Sequence, residues 1–338
     1  MNPYLQYMYS YPHKTAYRPL SDTRLSDYAR YLAGAGHGLY LHIPFCQAKC
    51  GYCNLFSVTG QKEEAVDRYL DAVERQCEQY RKVLLPEKTT FSELVIGGGT
   101  PLLLSDRQLV RMFEMLKRQF DFSEKTESVI ETAPNQTTAE KLAILKEAGV
   151  TRVSMGIQSF SERELKTLGR QHTAARAREA LALLKEAGFP CVNVDFIYGV
   201  PGQTVESLQD SLREALRYEP DEIFLYPLYV KHGAYLTHTG VTPDAALAVT
   251  QYRKASAFLK QEGFRQDSMR RFVRGAAKDR EFSECGFGTS LALGCGGRSY
   301  LGPLHFCSPY AVTQKNCLAR LKEFETREDY TEITHGIL

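Results

Sequence analysis

Between residues 38 and 230 the sequence alternates short apolar, β-branched runs with amphipathic segments of helical period. The strand candidates are "GLYLHIPF" (38–45), "SELVIGGGTP" (92–101), "ESVIETAP" (127–134), "TRVSMGIQSF" (151–160), "PCVNVDFIYGVP" (190–201) and "DEIFLYPLYV" (221–230). Runs this apolar suit a parallel sheet buried under helices, and parallel neighbours need helix-length connections. Those connections are present. Residues 65–84 carry an apolar stripe closed by Pro86, 105–120 open on a Ser105 cap, and 137–149 are capped by Thr137 or Thr138. Helices over 173–188 and 204–220 complete the series, and two helices end in the same "LKEAG", with glycine as a left-handed cap. Six strands are too few for the eight-stranded barrel. The sequence therefore predicts an α/β chain with an N-terminal arm (1–37), a core (38–240) that is either an open barrel, a partial (β/α)6 TIM-like barrel, or a doubly wound sheet, and a smaller α+β C-terminal module (241–338).

Composition excludes several function classes. A net charge of +2 gives no polyelectrolyte footprint, so nucleic acid is not an expected partner. No apolar run reaches the roughly 18–20 residues of a membrane span, and the N-terminus has no export-signal pattern. The expected setting is cytoplasmic, a reducing compartment where clustered cysteines bind metal or do chemistry.

Nine cysteines are unevenly placed: Cys46, Cys50 and Cys53 crowd one loop, Cys77 and Cys191 stand alone, and Cys285, Cys295, Cys307 and Cys317 come late. Taken alone, the crowded loop admits zinc, redox or cluster chemistry. Cys77 and Cys191 read as small buried hydrophobes. The late four have gaps that match no compact ligand loop.

In parallel α/β folds the chemistry lies at the carboxyl ends of the strands. Here those ends carry the cysteine loop, "GGGTP" (97–101), Glu131, Gln158, Asp195 and Tyr226 in succession, which points to one site. "HIPFCQAKCGYC" with "GGGTP", "SMGIQSF" and "NVDFIYGVPGQT" resembles the radical S-adenosylmethionine (SAM) superfamily. Within it, the chain resembles the oxygen-independent coproporphyrinogen III oxidase family, which includes haem-chaperone and haem-degrading relatives. The resemblance is strong over 38–230 and weak over 240–335.

The resemblance implies two cofactors, a [4Fe–4S] cluster and SAM. Cys46, Cys50 and Cys53 would hold three irons, leaving the fourth to the amino and carboxylate groups of SAM. Reductive cleavage of SAM would give a 5′-deoxyadenosyl radical that abstracts hydrogen from an organic substrate. By matching positions, Gly99 and Glu131 would accept from the methionine ammonium, Arg170 would pair with the carboxylate, and Gln158 and Asp195 would bind the ribose. Tyr226 would flank the adenine and Tyr52 pack over it, with Tyr40, Gly98 and Thr100 in the same cofactor-binding set. His42 reads as a packed, hydrogen-bonded histidine.

The family-based substrate is a tetrapyrrole or haem, with flavodoxin or ferredoxin as reductant, and the corresponding activity is a coproporphyrinogen oxidase-like oxidoreductase of porphyrin biosynthesis. The alternative is a haem-binding or haem-trafficking protein that retains the cluster and SAM site. The porphyrinogen decarboxylase carries a further cysteine just after the loop, whereas Asn54 and Leu55 follow Cys53 here, as in the chaperone-like branches. The family also continues into a helical C-terminal domain, and this chain is expected to be truncated near where it begins. The basic stretch with Arg265, Arg270, Arg271 and Arg274 reads either as a grip for tetrapyrrole carboxylates or as a solvated face. The tyrosine-rich "YSYPHKTAYRPL" reads as a substrate lid or a packing arm.

Overall fold

The computed structural model describes residues 16–229, 244–275 and 288–338, together with Pro12 and Leu236. Most of the tyrosine-rich arm, Cys285 and the expected boundary near residue 240 lie outside the described residues. The chain divides into two compact units. The first combines residues 16–47 with Leu55–Ile130 and the chain from 288 to 338; the second combines Ala48–Asn54 with the chain from Glu131 to 275.

In the first unit, β1 (Ala35–Ile43), β2 (Thr90–Gly98) and β3 (Asp121–Thr132, its last two residues in the second unit) run parallel, with Leu41 beside Ile96 and Ile96 beside Ile130. α1 (Glu63–Leu84) buries Val66, Tyr69, Leu70, Val73 and Cys77, residues three or four apart on one helix face. α2 (Asp106–Gln119) starts on a Ser105–Gln108 capping box and buries Leu109, Met112, Phe113 and Leu116. Its outer face is tied to α1 by Arg107–Asp67 at 2.6 Å and Arg111–Asp71 at 2.6 Å.

The other edge of β1 is covered by the end of the chain. Ser290–Leu293 pairs with it in parallel, and the strands Arg298–Leu301, Leu304–Cys307 and His335–Ile337 continue antiparallel. This covers what would be an open strand edge. The expected single module over 241–338 is thus divided: 244–275 belongs to the second unit and 288–338 to the first.

In the second unit, β4 (Arg152–Gln158), β5 (Cys191–Tyr198) and β6 (Glu222–Pro227) run parallel. Their connections are α3 (Ala139–Glu147), α4 (Glu162–Leu168), α5 (Ala174–Ala187) and α6 (Val205–Leu216); α7 (Ala245–Gln261) follows β6. Thr138, Thr173 and Thr204 cap α3, α5 and α6 by accepting from backbone N–H groups, which selects Thr138 from the two expected caps. Gly149 and Gly188, the last residues of the two "LKEAG" segments, adopt φ of +84° and +62°.

Within the basic stretch, Arg271 departs from both expectations. The stretch forms a hairpin, Phe264–Gln266 with Arg271–Arg274, that adds antiparallel to β6. Arg271 is buried and committed to Glu222 and Asp267. Arg152 pairs with the same Glu222 at 2.6 Å. Arg271 is therefore neither a solvated charge nor a grip available to a ligand.

Candidate functional site

Each unit carries part of the sequence-predicted set at the carboxyl ends of its strands. In the first unit, β1 runs directly into Cys46, and "GGGTP" leaves β2 beside it. The Gly99 N–H donates to Ile43 O at 2.7 Å and the Thr100 N–H to Phe45 O at 2.8 Å. The Thr100 hydroxyl lies 3.8 Å from Cys46 Sγ. A Cβ on Gly99 would stand 2.6 Å from Phe45 O and 3.0 Å from Cys46 Sγ, so only glycine lets the two strand ends approach this closely.

Gly98 has φ +115°, and a Cβ there would stand 2.6 Å from the His42 ring. His42 is buried, bonded through Nε2 to Phe56 O at 2.9 Å and through Nδ1 to the Tyr40 hydroxyl at 3.1 Å. Burial lowers its pKa to about 4 against the pull of the Phe56 carbonyl. With Nε2 donating, Nδ1 is left to accept, so a neutral imidazole fixes the Tyr40 hydroxyl. His42 is the packed, hydrogen-bonded histidine read from sequence.

In the second unit the turn after α4 grips the cysteine loop. The Gly51 N–H donates to Leu168 O at 2.9 Å, and Gly169 takes φ +69°, where a Cβ would stand 3.0 Å from Gly51 N. Arg170 Nη1 donates to Cys50 Sγ at 3.2 Å and Nη2 to Gly156 O. Burial opposes the Arg170 charge, but Tyr52 and Cys50 outweigh it and hold its pKa above the ordinary value. Tyr52 and Tyr226 pack against one apolar cluster of Leu168, Ile197, Val200, Leu228 and Leu236. Two aromatic faces thus flank the end of β5.

Gln158 closes β4 with φ +74°, after a register shift against β5 between Gly156 and Gln158. A bulge and a left-handed non-glycine residue are strained features that re-aim a side chain. A Cβ on Gly156 would lie 2.7 Å from Gln158 Nε2. Asp195 Oδ1 accepts from Asn193 Nδ2 at 2.7 Å, and the same amide reaches the Ser154 hydroxyl at 2.7 Å. Burial pushes the Asp195 carboxyl up to about 7, opposed by the Asn193 bond and assisted by the Glu131 charge. Glu131 itself is exposed.

Two residues were missed from sequence. Asn193 stands two positions before Asp195 on the same strand face, a period-two signal that could have found it. Glu164 is buried and accepts from the Ser159 hydroxyl at 2.7 Å, Gln203 Nε2 at 2.9 Å and the Ser207 hydroxyl at 2.6 Å. It joins the residue after Gln158 to the loop after β5, and nothing in its local sequence marks it.

Several buried polar atoms here have no partner among the described residues: Arg170 Nε, Gln158 Oε1, Asn193 Oδ1 and Asn54 Nδ2. Buried donors and acceptors are normally satisfied, so such a group beside half-buried Asp195, Tyr52 and Tyr226 suits a polar ligand with hydroxyl and carboxylate groups. The residues fit SAM. Among the described residues no three His, Cys, Asp or Glu side chains gather as ligands of a single metal ion. Of the late cysteines, Cys295 and Cys317 are buried, and burial pushes Cys295 up to about 12. Cys77 and Cys191 are buried as expected. No described helix is long and apolar enough to cross a membrane.

The Radical SAM superfamily model matches residues 40–215. The heme chaperone HemW of Haemophilus influenzae is 31% identical over 270 residues, covering 78% of this chain and 70% of that protein. An oxygen-independent coproporphyrinogen III oxidase of Bradyrhizobium diazoefficiens is 27% identical over 274 residues, covering 78% of this chain but only 60% of its own length. The structure of coproporphyrinogen III oxidase (HemN) from Escherichia coli, a radical SAM enzyme, matches with a TM-score of 0.83 at 25% identity, over 98% of this chain and 78% of that one. The class is an α/β radical SAM protein of the TIM-like barrel type, one of the two arrangements that the strand pattern allowed. The chain belongs to the radical SAM superfamily and, within it, to the branch of heme chaperones and coproporphyrinogen III oxidase-like proteins. The cofactors of that superfamily are a [4Fe–4S] cluster and SAM.

Proposed function

We propose that this chain is a haem-trafficking member of the superfamily, one that keeps the cluster and SAM site and carries a haem-type tetrapyrrole. The observation that carries this reading is the likeness to the heme chaperone HemW over 70% of that protein. Asn54 and Leu55, where the decarboxylase has a further cysteine, support the same branch.

On their spacing, Cys46, Cys50 and Cys53 would hold three irons of the cluster, leaving one iron to SAM. When bound, a reduced cluster supplies one electron to the sulfonium and so allows its C–S bond to break. The chain's own residues bind and orient. Arg170 offers Nε, a buried donor with no partner, to the SAM carboxylate. Gln158 Oε1 and the Asp195 carboxylate accept from the ribose hydroxyls, while Tyr52 and Tyr226 shield the adenine from water. By their motif positions Glu131 and Gly99 would accept from the ammonium, with Tyr40, Gly98 and Thr100 in the same cofactor-binding set.

A second reading, turnover of a tetrapyrrole by hydrogen abstraction, is favoured by the TM-score of 0.83 to coproporphyrinogen III oxidase. One anaerobic experiment separates the two. The protein is reconstituted with iron and sulfide, titrated with haem, and assayed for 5′-deoxyadenosine with SAM and dithionite. Tight haem binding without tetrapyrrole-dependent deoxyadenosine supports the carrier. Deoxyadenosine that appears only with coproporphyrinogen supports the enzyme and overturns it.

A further inference from the structure

The contact between Arg170 and Cys50 has a chemical consequence separate from SAM recognition. Arg170 Nη2 is spent on Gly156 O and Nη1 on Cys50 Sγ, while Nε is left without a partner. The guanidinium is planar, so fixing two of its nitrogens fixes the direction of the third. The backbone around it is equally held. Gly51 is bonded to Leu168 O at 2.9 Å, and its own carbonyl accepts from the Leu236 N–H at 2.8 Å. A side chain at Gly51 would stand 3.0 Å from Leu236, and one at Gly169 would stand 3.0 Å from Gly51 N. The turn Leu168–Gly169–Arg170 and the loop segment Cys50–Gly51–Tyr52 are therefore locked together at van der Waals range. The position of the charge relative to the sulfur is set by the fold.

We propose that Arg170 is a positioning residue that sets the reduction potential of the cluster by donating to the Cys50 thiolate. The inference rests on the reading of Cys50 as a cluster ligand. Reduction adds negative charge to the cluster, and part of it resides on the ligating sulfurs. A hydrogen bond from a fixed cation to one of those sulfurs stabilises the reduced form more than the oxidised form, which raises the potential. The low-dielectric setting of the half-buried guanidinium strengthens this term relative to a solvent-facing arginine.

The same geometry links the cluster to SAM. Nε is the buried donor left for an incoming carboxylate, so one side chain joins both events. A carboxylate on Nε offsets the positive charge that Cys50 sees. By linkage, SAM affinity then depends on the oxidation state of the cluster.

The test uses the full chain reconstituted with iron and sulfide, without SAM. Midpoint potentials are read by redox titration with electron paramagnetic resonance for the parent, Arg170→Gln and Arg170→Lys, with iron content measured in each. Arg170→Gln is expected to lower the midpoint potential at equal iron content. Arg170→Lys, which keeps the charge but cannot span Gly156 and Cys50, is expected to fall between them. Equal potentials in loaded parent and Arg170→Gln overturn the proposal. Should Arg170→Gln fail to take up iron, Arg170→Lys is read in its place, where a fall in potential supports the proposal and an unchanged value overturns it. A parent that takes up no cluster overturns instead the reading of Cys50 as a ligand.

Discussion

Asn193 Nδ2 donates to Asp195 Oδ1 at 2.7 Å across one residue of β5, on a carboxyl that burial pushes up to about 7. In the unfolded chain this acid titrates near its ordinary 3.8. Between about 4 and 7 the folded protein holds a proton that the unfolded chain releases, so stability falls as pH rises through that window. Asp195→Asn removes the effect. The variant is expected to exceed the parent by about 1–3 kcal/mol at pH 8, with the gain gone below pH 4. Urea unfolding at both pH values checks this, and a gain independent of pH contradicts it.

Asp195→Ala addresses the ligand role of the same residue. SAM affinity is expected to drop at least tenfold by calorimetry while iron content stays at the parent level. Loss of iron in this variant would make Asp195 a structural residue instead.

Gly99 is where "GGGTP" meets the cysteine loop. Gly99→Ala forces a Cβ to within 2.6 Å of Phe45 O, so the strand end must shift away from Cys46. The expected result is a folded protein that retains markedly less iron after reconstitution, measured by iron and sulfide analysis with circular dichroism as control. Full iron content in the variant would mean that the close approach is incidental.

Glu222 is buried between Arg152 and Arg271, and removing it takes the shared carboxylate from both, leaving Arg271 with Asp267. Breaking a buried ion pair from one side costs about 3–5 kcal/mol. Glu222→Ala is expected to lose at least the lower figure in denaturant unfolding. A loss within the range of an ordinary surface change would show that water or a rearranged Asp267 replaces the glutamate.

Much of this architecture was legible because buried parallel strands and amphipathic helices each carry a local period. β5 falls within three residues, and α2 within one, of where their patterns place them. Gln158 and Asp195 were legible as ligand candidates because strand ends concentrate polar groups, whereas Arg170, in the turn after α4, was reached only through the family resemblance. The reasons for Gly98 and Gly99 were not, since the atoms they accommodate, on His42 and Phe45, are some 55 residues away in sequence.

The strand Ser290–Leu293 was equally hidden. Its partner is β1, and parallel pairing across 250 residues leaves no local mark. Arg271 read as a carboxylate grip or a solvated face because an ion pair with Glu222 is invisible until the hairpin folds back on β6. Glu164 looks like an acidic first-turn residue of α4, yet its partner Gln203 lies 39 positions on and Ser207 43.

The account rests most heavily on the three loop cysteines seating a cluster with one iron left for SAM. Anaerobic reconstitution followed by electron paramagnetic resonance of the dithionite-reduced protein, with and without SAM, tests this most directly. We expect a [4Fe–4S] signal that changes on adding SAM and is lost when Cys46, Cys50 and Cys53 are each changed to Ala. A signal that ignores SAM, or survives those substitutions, would contradict the account.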